Sequence, residues 1–209
     1  TMTETARGHI DKTSLEPDLD ALLAGDEKAF ELLVAQESPR LFRIIHRILG
    51  DEEESKNILQ ETFLQAFQRM HTFRRESKFT TWLYAIGINL ARGSLRKSKR
   101  MTSLDDADVE RLQPSFSKGM FVESPQSWDP LKLAERTDRH KFLHQAIDKL
   151  PEDYKAIVIL RDIEEHSTEE VAKMLNITGG AVRVRLHRAR VALRTMLNTH
   201  FQYQSQSSK

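Results

Sequence analysis

An all-α chain of two small helical domains, joined by a long flexible linker, is the fold that the sequence predicts. Apolar residues recur at helical steps of three and four over residues 18–100 and again over 132–200. Alternating β-branched runs are absent, and 8 glycines and 6 prolines in 209 residues leave few breaks. Between the periodic stretches, residues 101–131 hold Pro114, Pro125 and Pro130 among Ser and Asp, with no sustained period. Residues 1–17 and 201–209 read as a flexible N-terminus and a flexible tail.

In the first domain, Leu22, Leu23, Phe30, Leu32 and Leu33 open the apolar pattern. Leu41, Ile44, Ile45, Ile48 and Leu49 then share one face of a helix. Gly50 and Asp51 are suited to close that helix and cap the next. Ile58, Leu59, Thr62, Phe63, Ala66, Phe67 and Met70 make a wide stripe, and Phe79, Trp82, Leu83, Ile86 and Leu90 make another. Amphipathic helices joined by short polar turns form a bundle.

The second domain begins with a helical segment from Leu133 to Leu150, ended by Pro151, followed by Tyr154 to Ile163. Ser167-Thr168-Glu169-Glu170 is a capping box at a helix start, from which Val171, Ala172 and Leu175 face inward. Asn176 tolerates the left-handed backbone that a tight turn needs, Ile177 plugs the turn, and Thr178 is a candidate N-cap. Val182, Leu186, Ala189, Leu193 and Met196 form the buried stripe of the last helix. Small Ala172 allows a close crossing, so this is a helix-turn-helix, whose second helix enters a DNA major groove. Arg183, His187, Arg190 and Arg194 share a face beside the buried stripe. A basic but purely structural last helix is the alternative.

Charge sharpens this reading. Lys plus Arg number 32 and Asp plus Glu 31, a net +1 that hides strong blocks. Residues 51–61 carry −4, residues 89–100 carry +5, residues 101–136 carry −3 and residues 179–197 carry +5. Two separated basic blocks suit two contacts with one polyanion. In the first domain, a charged loop beside aromatics and a basic helix suits single-stranded nucleic acid. Trp82 is either core or a stacking platform, and Asn89 either meets a base edge or faces solvent.

Other chemistries are poorly supplied. Without cysteine there are no disulfides, iron–sulfur clusters or thiolate zinc sites. His140 and His144 share a helix face, but no third ligand or adjacent Glu accompanies them. Gly-rich phosphate loops and nucleophile elbows are missing. No cofactor and no enzymatic activity are expected. No apolar run reaches the ~20 residues of a membrane span. Thr1 to Lys12 is polar, so a cytoplasmic location is expected.

Four stretches resemble the bacterial sigma factors of the extracytoplasmic-function (ECF) class, group 4 of the sigma-70 family. They are residues 22–30; Leu59-Gln60-Glu61-Thr62-Phe63-Leu64-Gln65-Ala66-Phe67; residues 79–89 from Phe79-Thr80-Thr81-Trp82 to Asn89; and residues 150–190. The resemblance implies that Asn57, Gln60, Glu61, Leu64 and Phe67 dock on core RNA polymerase, at the β′ coiled coil. It implies that the loop from Thr72 to Lys78 and Asn89 capture a base flipped from the promoter −10 element. Lys78, Arg92, Arg96, Lys97, Lys99 and Arg100 would hold that strand. Arg183, Val184, His187 and Arg188 would read −35 bases, with Arg185 and Thr178 on phosphates, and the β flap would be a second polymerase contact. The acidic linker would thread the polymerase, and an anti-sigma factor would be a further partner. Asn57 stands where the class often has Asp, Gly93 departs from a common Asp, and Gly179-Gly180-Ala181 departs from Gly-Thr. The rival readings are a stand-alone helix-turn-helix regulator of operator DNA, an enzyme and a pure interaction protein.

Overall fold

The computed structural model describes residues 18–98, 105–113 and 137–207. The expected flexible N-terminus, residues 208–209, most of the linker, Lys99, Arg100 and the side chain of His140 lie outside the described residues; residues 201–207, expected as a flexible tail, instead continue the last helix.

The first domain holds α1 (Leu19–Leu23), α2 (Glu27–Leu49), α3 (Glu52–Arg69) and α4 (Phe79–Ser98). Aspartates start the first three. Asp18, Asp26 and Asp51 each accept backbone N–H groups of the first turn, Asp51 from Glu54 at 2.7 Å. Each such cap contributes ~1 kcal/mol. Gly50 ends α2 at φ 77°, as the sequence predicts. The predicted face of α2 is buried, with Leu41, Ile44, Ile45 and Ile48 at 0% exposure. They pack against Phe63 and Ala66 of α3 and against α4.

The stripe expected on α4 is corrected. Phe79 and Leu83 are buried as expected, joined by Tyr84, Ile88, Ala91 and Leu95, while Trp82, Ile86 and Leu90 are half-buried at its edge. The cause is Gly87, which lets α4 lie close on its neighbours. A Cβ there would sit 3.0 Å from Thr62 Oγ1 and 3.2 Å from Leu41 Cδ1. That crossing turns the Gly87 side of the helix inward. Leu32 and Phe67, expected in the apolar stripes, are instead largely exposed.

The second domain holds α6 (Thr137–Lys149), α7 (Glu152–Val158), α8 (Thr168–Leu175) and α9 (Gly179–Ser207). α7 runs on into a π-turn, Ile159–Ile163, in which Glu164 N–H donates to Ile159 O at 2.9 Å. Ser167 and Glu170 form the predicted capping box, and Asn176 takes φ 53°. Thr178 Oγ1 accepts from Ala181 N–H at 3.1 Å and caps α9. Val182, Leu186, Ala189, Leu193 and Leu197 bury the underside of α9, while Met196 is half-buried. Lys155 is also buried, its ammonium reaching Asp148 at 2.7 Å.

Between the domains, the aperiodic stretch includes a short helix, α5 (Asp106–Arg111). Six residues are too few to display a period, so local chemistry makes it. Asp105 and Asp108 cap it reciprocally, and buried Val109 anchors it. It lies on α9, where Thr195 Oγ1 donates to Leu112 O and Gln113 Nε2 to Arg188 O, both at 3.1 Å.

The two domains pack together. α8 and α7 lie against α4, and the π-turn lies against α2.

Candidate nucleic-acid interface

Lys78, Trp82, Ala85, Asn89, Arg92 and Arg96 follow steps of four and three, one stripe along α4 and the residue before it. Trp82 belongs to an aromatic cluster, its ring centroid 5.1 Å from Phe79 and 5.7 Å from Phe73. It is therefore an edge of the core with one side still exposed. The polar members of the stripe face the second domain. Lys78 Nζ lies 3.8 Å from Glu170 Oε1, and Asn89 Nδ2 donates to Met174 O at 3.4 Å. Arg96 Nε donates to Glu152 Oε1 at 2.7 Å, which raises the pKa of Arg96. Arg92 is ion-paired to Asp153 and donates to Asn89 Oδ1 at 3.1 Å. Its Nε is buried without a hydrogen-bond partner. Lys173 of α8 completes the seam by donating to Glu76 O at 2.5 Å. The carboxylates of α7 and α8 thus occupy cations that would suit phosphates.

Lys97 does not join this stripe; it lines a depression with Asp51, Glu53 and Glu54. Gly93 faces open space, so a Cβ there would meet nothing.

On α9, Arg183, Val184 and His187 are exposed together, Val184 at 52%. Arg185 turns back to Asp153 at 2.8 Å, and Arg188 lies 3.3 Å from Glu110 of α5. Arg190 is held in a fork by Asp162 at 2.5 and 3.0 Å, which raises its pKa. Its task is to tie α9 to the π-turn, so the basic face splits into outward and inward parts.

A third surface is open. Asn57, Gln60, Glu61, Leu64 and Phe67 are all exposed on one face of α3, Leu64 at 51% and Phe67 at 48%. Glu61 accepts from Gln65 Nε2 at 2.7 Å, and the Phe67 ring rests on Phe30 at 5.1 Å. The acids Glu52, Glu53 and Glu54 fill the first turn of α3, where the helix dipole favours them.

Sequence reasoning missed the acids that cover α4. Glu152, Asp153 and Glu170 sit in first helical turns, where their presence is already explained by capping. It also missed Arg40, Arg43 and Arg47, whose steps of three and four on α2 were a readable signal.

Residues 33–101 match the family model for Sigma-70 region 2, and residues 143–193 that for Sigma-70, region 4. The chain is 34% identical over 176 residues to the ECF RNA polymerase sigma factor SigW of Bacillus subtilis, covering 83% of this chain and 91% of that protein. The chain belongs to the ECF sigma factors. It is also 34% identical over 173 residues to the RNA polymerase sigma-H factor of Pseudomonas aeruginosa, covering 81% of this sigma factor and 86% of that one. The fold is similar to that of CnrH, solved in complex with the cytosolic domain of CnrY. Its TM-score is 0.60 at 22% identity, over 87% of this sigma factor and 95% of that chain. It is similar too to RpoE of Bartonella quintana, solved with the anti-sigma factor NepR, with a TM-score of 0.56 at 22% identity over 82% and 98%. The sigma factor is a polymerase-binding subunit for transcription initiation, and the stand-alone regulator is set aside.

Proposed function

We propose a division of labour among the three surfaces of this sigma factor. The α3 face of Asn57, Gln60, Glu61, Leu64 and Phe67 docks on core RNA polymerase at the β′ coiled coil, with the β flap as a contact of the second domain. The α4 stripe captures the melted −10 strand, Asn89 taking a flipped base and Lys78, Arg92 and Arg96 the backbone. Lys97 holds the same strand further along, with Lys99 and Arg100. On α9, Arg183, Val184, His187 and Arg188 read the −35 duplex, and Arg185 and Thr178 hold its phosphates.

The observation that carries this reading is the spacing of Asn89, Arg92 and Arg96 on one face of α4, each engaged by an acceptor of the second domain. Cations held by carboxylates on a basic face are matched to an anionic ligand. The covered arrangement is then the resting form, and α7 and α8 leave α4 before the −10 strand enters. The sigma factor works in the cytoplasm and performs no chemistry of its own; the polymerase supplies it. Among the described residues no helix is long and apolar enough to cross a membrane. An anti-sigma factor is a further partner, in keeping with the complex in which RpoE of Bartonella quintana was solved.

Flipping costs a few kcal/mol of unstacking, which capture of the base offsets. Asn89→Ala is therefore expected to weaken open-complex formation more than closed-complex binding. Permanganate footprinting of holoenzyme on a cognate promoter reads the melting, and a gel-shift of the closed complex reads the binding; undiminished melting removes Asn89 from this role.

A further inference from the structure

Glu164, whose side chain is 5% exposed, faces three guanidiniums of α2. Arg47 is in direct ion pair with it, Arg43 Nε stands 3.6 Å away and Arg40 Nε 3.9 Å away. Steps of three and four put the three on one face of the helix. Three cations share this one carboxylate, while Glu37, which lines a pocket with Arg40, accepts from Tyr84 O–H at 2.6 Å. The excess is felt locally: burial, and then the like charge of Arg43, lower the pKa of Arg47. Planar forks converging on one anionic group are the usual means of holding an oxyanion.

The same face continues onto α4. The Arg40 guanidinium lies 6.0 Å from the Tyr84 ring, and the second domain covers both helices at once. Arg40 and Arg43 are still about half exposed beside that cover. A neutral or apolar partner would leave this surplus of positive charge unpaired, whereas a strand of phosphates offers one anion per nucleotide.

We propose that Arg40, Arg43 and Arg47 form a second phosphate-binding stripe, gripping the backbone of single-stranded DNA beside the α4 stripe, and that Glu164 occupies the phosphate position while the domains are closed. The inference rests on the reading of α4 as the −10 surface. The stripe holds backbone alone, so it adds affinity without sequence preference.

The test uses holoenzyme assembled from core polymerase and the full chain, with a promoter fragment pre-melted over the −10 region. Binding is measured across salt concentrations for wild type, Arg43→Gln and the triple variant at positions 40, 43 and 47. Each lost phosphate contact on a single strand lowers the slope of log K against log salt by ~0.7. Arg43→Gln should show that change, the triple variant about three times as much, and both should keep the wild-type preference for the −10 sequence over a scrambled one. Arg43 is half exposed, so its single variant keeps the test alive if the triple variant does not fold. An unchanged slope for Arg43→Gln overturns the proposal, as does a lost sequence preference at unchanged slope. Asn89→Ala, run in parallel on the intact duplex promoter with permanganate footprinting, separates the two readings. Melting lost there with an unchanged slope for Arg43→Gln defeats the stripe alone; melting retained defeats the α4 assignment on which it rests.

Discussion

Arg92 of α4 is ion-paired with Asp153 of α7, across the two domains. The second oxygen of Asp153 receives Arg185 of α9 at 2.8 Å. One carboxylate therefore ties a cation of the proposed −10 surface to a cation of the proposed −35 helix. Partly exposed pairs of this kind contribute ~0–1 kcal/mol each. The seam is held by several of them, with Met174 buried between α8 and α4. On the proposed reading, this seam closes in the free chain and opens on the polymerase.

The −35 reading singles out Arg183, which is exposed near the start of α9. Arg183→Ala should cost ~1–3 kcal/mol on a cognate −35 duplex and relax preference at one base pair. Competition binding with single-base variants checks it. Uniform weakening across all sequences would make Arg183 a phosphate contact.

Gly87→Ala tests the close crossing in the first domain. Its new methyl would meet Thr62 Oγ1 at 3.0 Å, and Thr62 is itself fixed by donating to Ile58 O at 2.6 Å. Overpacking of this kind costs ~1–3 kcal/mol, read as a lowered midpoint of thermal unfolding. Gly93→Ala, whose Cβ meets nothing within 4 Å, should not lower it.

Closure should depend on pH through His166. It is 8% exposed in the seam, its Nε2 has no hydrogen-bond partner, and its ring meets Tyr84 edge-on at 6.0 Å. Burial first, then Arg40, with a smaller contribution from Lys78, lower its pKa below the ordinary 6.5, against the opposing pull of Glu170. Tyr84, raised by burial and by its bond to Glu37, stays neutral throughout. The closed form thus binds fewer protons than the open one. Its stabilisation is complete above about pH 6.5 and is lost as pH falls through the lowered value. Small-angle scattering of the free chain should show expansion on acidification, and His166→Gln should flatten the response. Equal profiles for the two proteins would exclude the histidine.

Helix caps and the helix-turn-helix were legible because their signals are local. Ser167 and Glu170, Asn176 and Gly50 each act within one turn of chain, and all took the expected geometry. The α4 stripe was right at Phe79 and Leu83 and misplaced at Trp82, Ile86 and Leu90, because its orientation depends on Gly87 meeting Thr62 and Leu41, a tertiary fact. The candidate cations were legible as blocks, but their partners were not. Asp153 and Glu152 look like ordinary first-turn acids, and only packing brings them to Arg92 and Arg96. Arg190 shows the same limit: periodicity set it on the basic face, and Asp162 removes it.

On the proposed reading, the second domain covers the −10 surface of the free sigma factor and leaves it in the holoenzyme. The chain has no cysteine, so Ala35→Cys and Gln145→Cys, both at exposed positions, accept one spin label on each domain. Pulsed electron–electron distance measurement on the free chain should give one narrow distance distribution. Adding core polymerase and promoter should replace it with a longer one. The unchanged distribution in a holoenzyme that melts its promoter would mean that the second domain does not leave α4.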